Sequence, residues 1–265
     1  MTTKSIPGTA LVTGASTGIG AIYADRLAKR GFDLILVARN EARLQPVARR
    51  IRESTGRDVQ VLVADLNHKA DLGRIEKTLR EDTRINLLVN NAGLGAVTPL
   101  LQSDADRMDE MIAVNIRALT RLTYAAAPGF AARGRGALIN IASIAAIGPE
   151  ILNGVYGASK AFVLALTQSL HHELVPKGVR VQAVLPGATA TEFWDVAGLP
   201  HSNLPEGSVM SAEAMVDAAL VGFDRGEVVT IPPLQDGQQW TDYEAMRRAL
   251  SRQFGHATPA ARYLS

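Results

Sequence analysis

The chain has 265 residues, 47% of them hydrophobic and 20% charged, enough apolar material for one large α/β core. Lys and Arg total 28 against 26 for Asp and Glu, a net charge of +2 that is too balanced for a nucleic-acid surface, and the lack of cysteine excludes disulfides and thiolate chemistry. Met1–Gly8 carries no apolar signal core and the longest apolar runs are strand-sized, so a cytoplasmic chain without membrane contact is expected.

Ala10–Val12 reads as a buried strand. It feeds into Thr13–Gly20, after which Ile22, Leu27 and Ala28 recur at helical spacing up to Gly31, a C-cap signal. A glycine-rich turn between a strand and a helix offers backbone N–H groups and a positive dipole end to a pyrophosphate. The glycine spacing, three residues and then one, differs from the G-x-G-x-x-G pattern. The alternative is an ordinary tight turn, which does not require glycines at Gly14, Gly18 and Gly20 together. Asp33–Ala38 predicts a second strand. An NAD-binding chain would carry an acid near its end for the ribose hydroxyls, but here the chain reads Val37–Ala38–Arg39–Asn40. A guanidinium at Arg39 suits a 2′-phosphate; the alternative is a solvated charge. Asp33 begins the strand and cannot replace the missing acid.

Asn40 is a cap signal for a helix bearing Leu44, Val47, Ala48 and Ile51, with Pro46 expected to kink it or delay its start. Val59–Ala64 predicts the third strand, ending in Asp65–Leu66, where a carboxylate suits an adenine amine or a helix N-cap. A charged helix is expected over Ala70–Asp82 and a fourth strand over Asn86–Val89. The small residues of Asn90–Gly93 then suit close approach of a cofactor, or a simple turn. Ser103–Pro128 reads as one long helix, with Asn115 a polar residue on its inner face and a satisfied core amide as the plainer reading. Gly136–Ala142 predicts a strand ending at Ser143.

Tyr156 and Lys160 lie four residues apart on the next helix, which runs to about Leu174, so they share one face. A nearby ammonium is expected to draw a tyrosine pKa from near ~10 toward the working range, making the pair a proton exchanger for an alcohol or carbonyl oxygen. His171–His172–Glu173 lacks a completed zinc spacing and reads as a solvated helix end. Arg180–Leu185 predicts a sixth strand ending at Pro186–Gly187. Pro186–Met210, rich in Pro and Gly and holding Phe193–Trp194, reads as a lid loop. Ser211 caps a helix to Phe223, Glu227–Ile231 is a last short strand, and Thr241 and Glu244 suggest a capping box for a C-terminal helix. Tyr243, Met246, Leu250 and Phe254 line one side of that helix, while Arg247, Arg248 and Arg252 read as solvated charges.

Alternating strands and helices predict a Rossmann-like, doubly wound parallel sheet of about seven strands with helices on both faces. The expected organisation is a single dinucleotide-binding and catalytic domain over 1–265, with a lid at 186–210 and a C-terminal extension at 232–265. The marked segments all fall at C-terminal strand ends, the ligand-binding edge of such sheets.

Thr13-Gly-x-x-x-Gly-x-Gly20, Asn90-Asn-Ala-Gly93, Asn115, Ser143, Tyr156-x-x-x-Lys160 and Pro186-Gly187 together make the chain resemble the short-chain dehydrogenases/reductases, over Thr9 to Ile231. The resemblance implies an NAD(P)-dependent oxidoreductase interconverting a ketone or aldehyde and an alcohol. Its catalytic residues would be Asn115, Ser143, Tyr156 and Lys160. Its cofactor residues would be Gly14, Ser16, Thr17, Gly18, Ile19, Gly20, Arg39, Asp65, Leu66, Asn91, Ala92, Gly93, Tyr156, Lys160, Pro186, Gly187 and Thr189, with no metal. Arg39 matches the NADP(H)-preferring pattern, leaving NAD(H) as the second choice. Tyr156 and Ser143 would bind the substrate oxygen, Lys160 would hold the ribose and lower the tyrosine pKa, and Asn115 would orient a water. A pocket lined by Leu94, Ile147, Leu152, Phe193 and Trp194 suggests a small, mostly apolar carbonyl or alcohol substrate. Family members are commonly homotetramers or homodimers joined through the long helices. The alternative function is an NADP(H)-binding redox sensor without turnover.

Overall fold

The computed structural model describes residues 8–199 and 201–264. Met1–Pro7, expected to hold no export signal, and Pro200 of the lid loop lie outside the described residues. The chain divides into two compact units at Pro232 and Pro233.

The first unit is built on a parallel sheet. Its strands are β1 (Thr9–Thr13), β2 (Asp33–Ala38), β3 (Val59–Val63), β4 (Ile85–Asn90), β5 (Gly136–Ile141) and β6 (Val179–Val184), with two-residue pieces β7 (Thr189–Ala190), β8 (Met210–Ser211) and β9 (Val229–Thr230). Seven of them form one sheet in the order β3-β2-β1-β4-β5-β6-β9, and β7 pairs with β8 apart from it. Every residue of β1, β4 and β5 is buried, which requires cover on both faces.

The cover comes from helices α1 (Gly18–Lys29), α2 (Glu41–Thr55), α3 (Lys69–Glu81), α4 (Ala105–Ile112), α5 (Leu119–Ala132), α6 (Gly154–Leu174), α7 (Phe193–Ala197) and α8 (Ala212–Arg225). Leu27 of α1, Ile51 of α2 and Met215 of α8 join Ala10 and Val12 in one core cluster. Ile75 of α3, Leu122 of α5 and Leu170 of α6 join Leu11 and Leu88 in another. Side chains alternating along β1 therefore point into two cores, as the two-residue period of a strand requires. Between the strands and the second helix group lies a buried polar ladder. Asn90 Nδ2 donates to Asn140 Oδ1 at 2.9 Å and to Thr123 Oγ1 at 3.1 Å, and Asn140 Nδ2 donates to Thr167 Oγ1 at 2.9 Å.

Three expectations need correction. The helix expected over Ser103–Pro128 is two α-helices joined by a π-helical segment, Ala113–Ala118, and it continues past Pro128 to Ala132. Pro128 has no N–H to offer the Tyr124 carbonyl, but Tyr124 lies on the exposed side of the helix. Likewise Pro46 neither delays nor ends α2, which starts at Glu41 behind the Asn40 cap. The lid region is not wholly irregular, since it holds β7 and α7.

The second unit contains α9 (Gly237–Ser251), capped by the Asp236 side chain, not by Thr241. Thr241 is already inside the helix and donates to the Gly237 carbonyl. Arg247 and Arg248 both reach the Glu244 carboxylate, at 2.9 and 3.6 Å, so neither is a lone solvated charge. Trp240 and Tyr243 stack with ring centroids 5.3 Å apart. No helix among the described residues is long and apolar enough to cross a membrane.

Candidate active site

The strand order places β1 beside both β2 and β4, so the chain turns away in opposite directions from adjacent C-terminal strand ends. This switch point opens a crevice. A single cleft of about 680 Å³ runs along that edge.

The glycine turn forms one wall. Gly14 has φ +66°, which only glycine adopts without strain, and a Cβ there would sit 2.8 Å from Asn91 Nδ2. A Cβ on Gly20 would fall 2.5 Å from the same nitrogen and closer still to the Gly14 carbonyl. The turn is thus locked to the end of β4. Asn91 Nδ2 donates to the carbonyls of Thr13 at 2.9 Å and Gly14 at 3.2 Å. The Thr13 hydroxyl accepts from the N–H groups of Asn91 and Ala92, both at 3.0 Å, and donates to the Val89 carbonyl. Thr13 stands in the sequence motif, but its three bonds were not legible there.

Of the residues expected around a cofactor, Gly14, Ser16, Thr17, Gly18, Ile19, Arg39, Asp65, Leu66, Asn91, Ala92, Gly93, Pro186, Gly187 and Thr189 all line the cleft. Gly20 does not; it packs behind Gly14. The Asp65 carboxylate accepts from the Asn67 N–H at 2.9 Å, a local turn bond that leaves it beside the cleft. Arg43, which sequence reasoning passed over, also lines the cleft and pairs with Glu192 at 2.5 Å. Its signal was its place one turn into the helix that follows Arg39.

Ser143, Tyr156 and Lys160 line the same cleft. Ser143 stands two residues past β5, where the Ile144 N–H donates to the Pro186 carbonyl at 3.0 Å and the Ser143 hydroxyl accepts from the Ala145 N–H at 3.2 Å. Tyr156 opens α6, and Asn153 fixes that opening. Its Oδ1 accepts from the N–H groups of Val155 and Tyr156, and its Nδ2 donates to the Thr98 carbonyl at 2.6 Å. An asparagine just ahead of a helix was the available signal. Asn115 stands behind the cleft, in the π-helical segment. Its Oδ1 accepts from the Leu94 N–H at 2.8 Å, and its Nδ2 donates to the Leu94 carbonyl and the Ser159 hydroxyl. π-helical turns frequently occur at functional sites.

Electrostatics of the pair differ from the expectation. Burial pushes the Tyr156 phenol up to about 12, with a hydrogen bond to Ser143 working the other way. Burial also pushes the Lys160 ammonium down to about 8, although its Nζ donates to the Ile141 carbonyl at 2.9 Å. The expected lowering of the phenol by Lys160 is absent: Nζ lies 5.7 Å from the ring centroid, and desolvation sets the direction for both groups.

The substrate side is apolar. Leu94, Leu152, Phe193 and Trp194 line the cleft as expected; Ile147 does not, and Ile144 and Ile151 stand there instead. Trp194 is buried and its Nε1–H donates to the Thr189 carbonyl at 3.0 Å. Among the described residues no cluster of His, Cys, Asp and Glu is arranged to hold a metal.

The chain belongs to the short-chain dehydrogenases, whose family model matches residues 8–198. Its fold is the Rossmann-like α/β fold of their solved structures, and it is accordingly an oxidoreductase. It is similar to a short-chain dehydrogenase from Sphingobium yanoikuyae solved in complex with NADPH, at 49% identity and a TM-score of 0.94 over 97% of this chain and 100% of that one. It is also similar to the bulky-bulky ketone specific alcohol dehydrogenase from Comamonas testosteroni, at 45% identity and a TM-score of 0.91 over 98% of this chain and 100% of that one. The very-long-chain 3-oxoacyl-CoA reductase of Anas platyrhynchos is 40% identical over 189 residues, 69% of this chain and 60% of the reductase.

Proposed function

We propose that the protein reduces bulky, mostly apolar ketones to secondary alcohols with NADPH. The observation that carries this reading is the convergence of Ser143, Tyr156 and Lys160 on the cleft that also holds the glycine turn and Arg39. The relatives support it: the Sphingobium protein binds NADPH, and the Comamonas protein is specific for bulky-bulky ketones.

The cradle fits a dinucleotide. A Cβ at Gly14 or Gly20 would fill the turn, so backbone is meant to approach there. The turn and the N-terminus of α1 would hold the pyrophosphate, Arg39 the 2′-phosphate, Lys160 the ribose hydroxyls and Thr189 the nicotinamide side. NADPH, when bound, supplies the hydride that reduces the carbonyl carbon. Ser143 and the Tyr156 hydroxyl grip the ketone oxygen. A phenol at about 12 keeps its proton at neutral pH, which suits Tyr156 to donate that proton to the oxygen as the alcohol forms. Asn115 holds the Leu94 backbone in place beside Lys160, and residues 186–210 act as the lid.

Assembly as a homodimer or homotetramer through α5 and α6 accompanies this reading, since Tyr124 and Phe162 are exposed on them. Sedimentation measures it. The cofactor assignment is tested by titration with NADPH and NADH. Arg39→Ala should weaken NADPH by about ten- to a hundredfold, the worth of a charge-assisted bond, and leave NADH nearly unchanged. Equal losses for both cofactors would reduce Arg39 to a solvated charge.

A further inference from the structure

Phe193 opens α7, and its ring is gripped on three sides. It lies 5.8 Å from the Tyr156 ring at 49°, and 5.6 Å from the Trp194 ring, edge-on at 89°. The third side is Gly95. A Cβ there would lie 2.5 Å from Phe193 Cε2 and closer still to Cζ, far inside van der Waals contact. The tip of the ring therefore occupies the space that any side chain at position 95 would take.

The helix that carries the ring is fixed from behind. Trp194 Nε1–H donates to the Thr189 carbonyl at 3.0 Å, and the Val97 N–H donates to the Ala197 carbonyl at 3.3 Å. If the notch at Gly95 were filled, α7 would not retreat. Phe193 already walls the cleft against Tyr156, so a ring turned about its own side-chain bonds would redraw that wall.

We infer that Gly95 is a specificity-determining positioning residue: by seating the Phe193 ring back in the cleft wall, it keeps room beside Tyr156 for the larger substituent of a ketone. This inference rests on the ketone-reductase reading and deepens it by naming the residue that sets the room for the larger substituent.

The test compares Gly95→Ala, Phe193→Ala and the double variant in a Trp240→Phe background. The sequence has two tryptophans, so Trp194 is then the only indole. Gly95→Ala should shift Trp194 emission without any cofactor, because its neighbour ring has moved. It should cut kcat/KM for benzophenone about tenfold or more through KM, and for 2-butanone by less than about threefold. Once Phe193 is alanine, Gly95→Ala should change neither, since nothing remains to be displaced. Equal losses on both ketones, the same loss with and without Phe193, or an unmoved Trp194 emission would each overturn the inference. A wild type that turns over neither ketone would instead sink the reductase reading, and the emission would still decide the seat. Should Gly95→Ala fail to fold, Phe193→Leu carries the test. Altered discrimination between the ketones supports Phe193 as the wall that Gly95 positions, and unchanged discrimination refutes it.

Discussion

Replacing Lys160 by methionine should abolish activity and at the same time make the cofactor-free protein more stable. The ammonium is buried at 6% exposure and donates to the Ile141 carbonyl. Burial lowers its pKa from 10.5 to about 8, and at ~1.4 kcal/mol per pH unit this is a cost of about 3 kcal/mol. Methionine removes that cost and keeps most of the side-chain volume. It leaves the Ile141 carbonyl without its partner, worth about 1 kcal/mol, so the net gain is about 2 kcal/mol. For a domain of this size Tm should rise by about 4–8 °C. The sign follows from proton binding. Below pH 8 the lysine is charged in both states and the full cost is present. Between about 8 and 10.5 the unfolded chain binds more protons than the folded one, so wild-type stability gains as pH rises. Thermal unfolding of both proteins without cofactor, followed from pH 6.5 to 10.5, reads the difference. It should be largest at or below pH 7.5, cross zero at about pH 9.5 and reverse by about 1 kcal/mol at the alkaline end, where only the lost bond to Ile141 remains. A variant that melts lower than wild type at pH 7, or a difference that ignores pH, would refute the reasoning.

Two further outcomes follow from the site. Tyr156→Phe should cost about 10²–10⁴ in turnover, the usual worth of a positioned proton donor, while NADPH titration shows nearly wild-type affinity; retention of a tenth of the activity would count against Tyr156 as the donor. Thr13→Val should strand the Asn91 and Ala92 N–H groups at about 1–3 kcal/mol each, lowering Tm and weakening NADPH, whereas Thr13→Ser should restore both in the same scans.

The sheet was legible because its strands are short, uninterrupted apolar runs set between helical periods. The catalytic face was legible because Tyr156 and Lys160 stand one helical turn apart. Long-range closure was not. Nothing near Gly95 in the sequence announces that its missing side chain houses Phe193, and nothing near Arg43 announces Glu192, which lies 149 residues away. The two internal prolines misled for the opposite reason. The rule against helical proline is local, while Pro46 and Pro128 sit in helices whose buried faces outweigh the single bond each loses. The titration of Tyr156 and Lys160 escaped for a similar reason, since it depends on how deeply both are buried.

The amide ladder beneath the site bears on how the sheet finds its alignment. Asn90 and Asn140 are direct partners across β4 and β5. Above them the pairs are Leu87 with Ala137, Leu88 with Leu138 and Val89 with Ile139, aliphatic side chains that exchange for one another cheaply. Sliding β5 by two residues would keep every side chain on its proper face and leave the apolar contacts nearly as good. It would also part the two carboxamides and set one of them against Leu88 or Leu138, at about 1–3 kcal/mol for each amide left unpaired. The pair thus acts as a key between strands that hydrophobicity alone would let slip. Substituting both asparagines by leucine should leave a protein that collapses readily and mispairs at the strand that delivers Ser143.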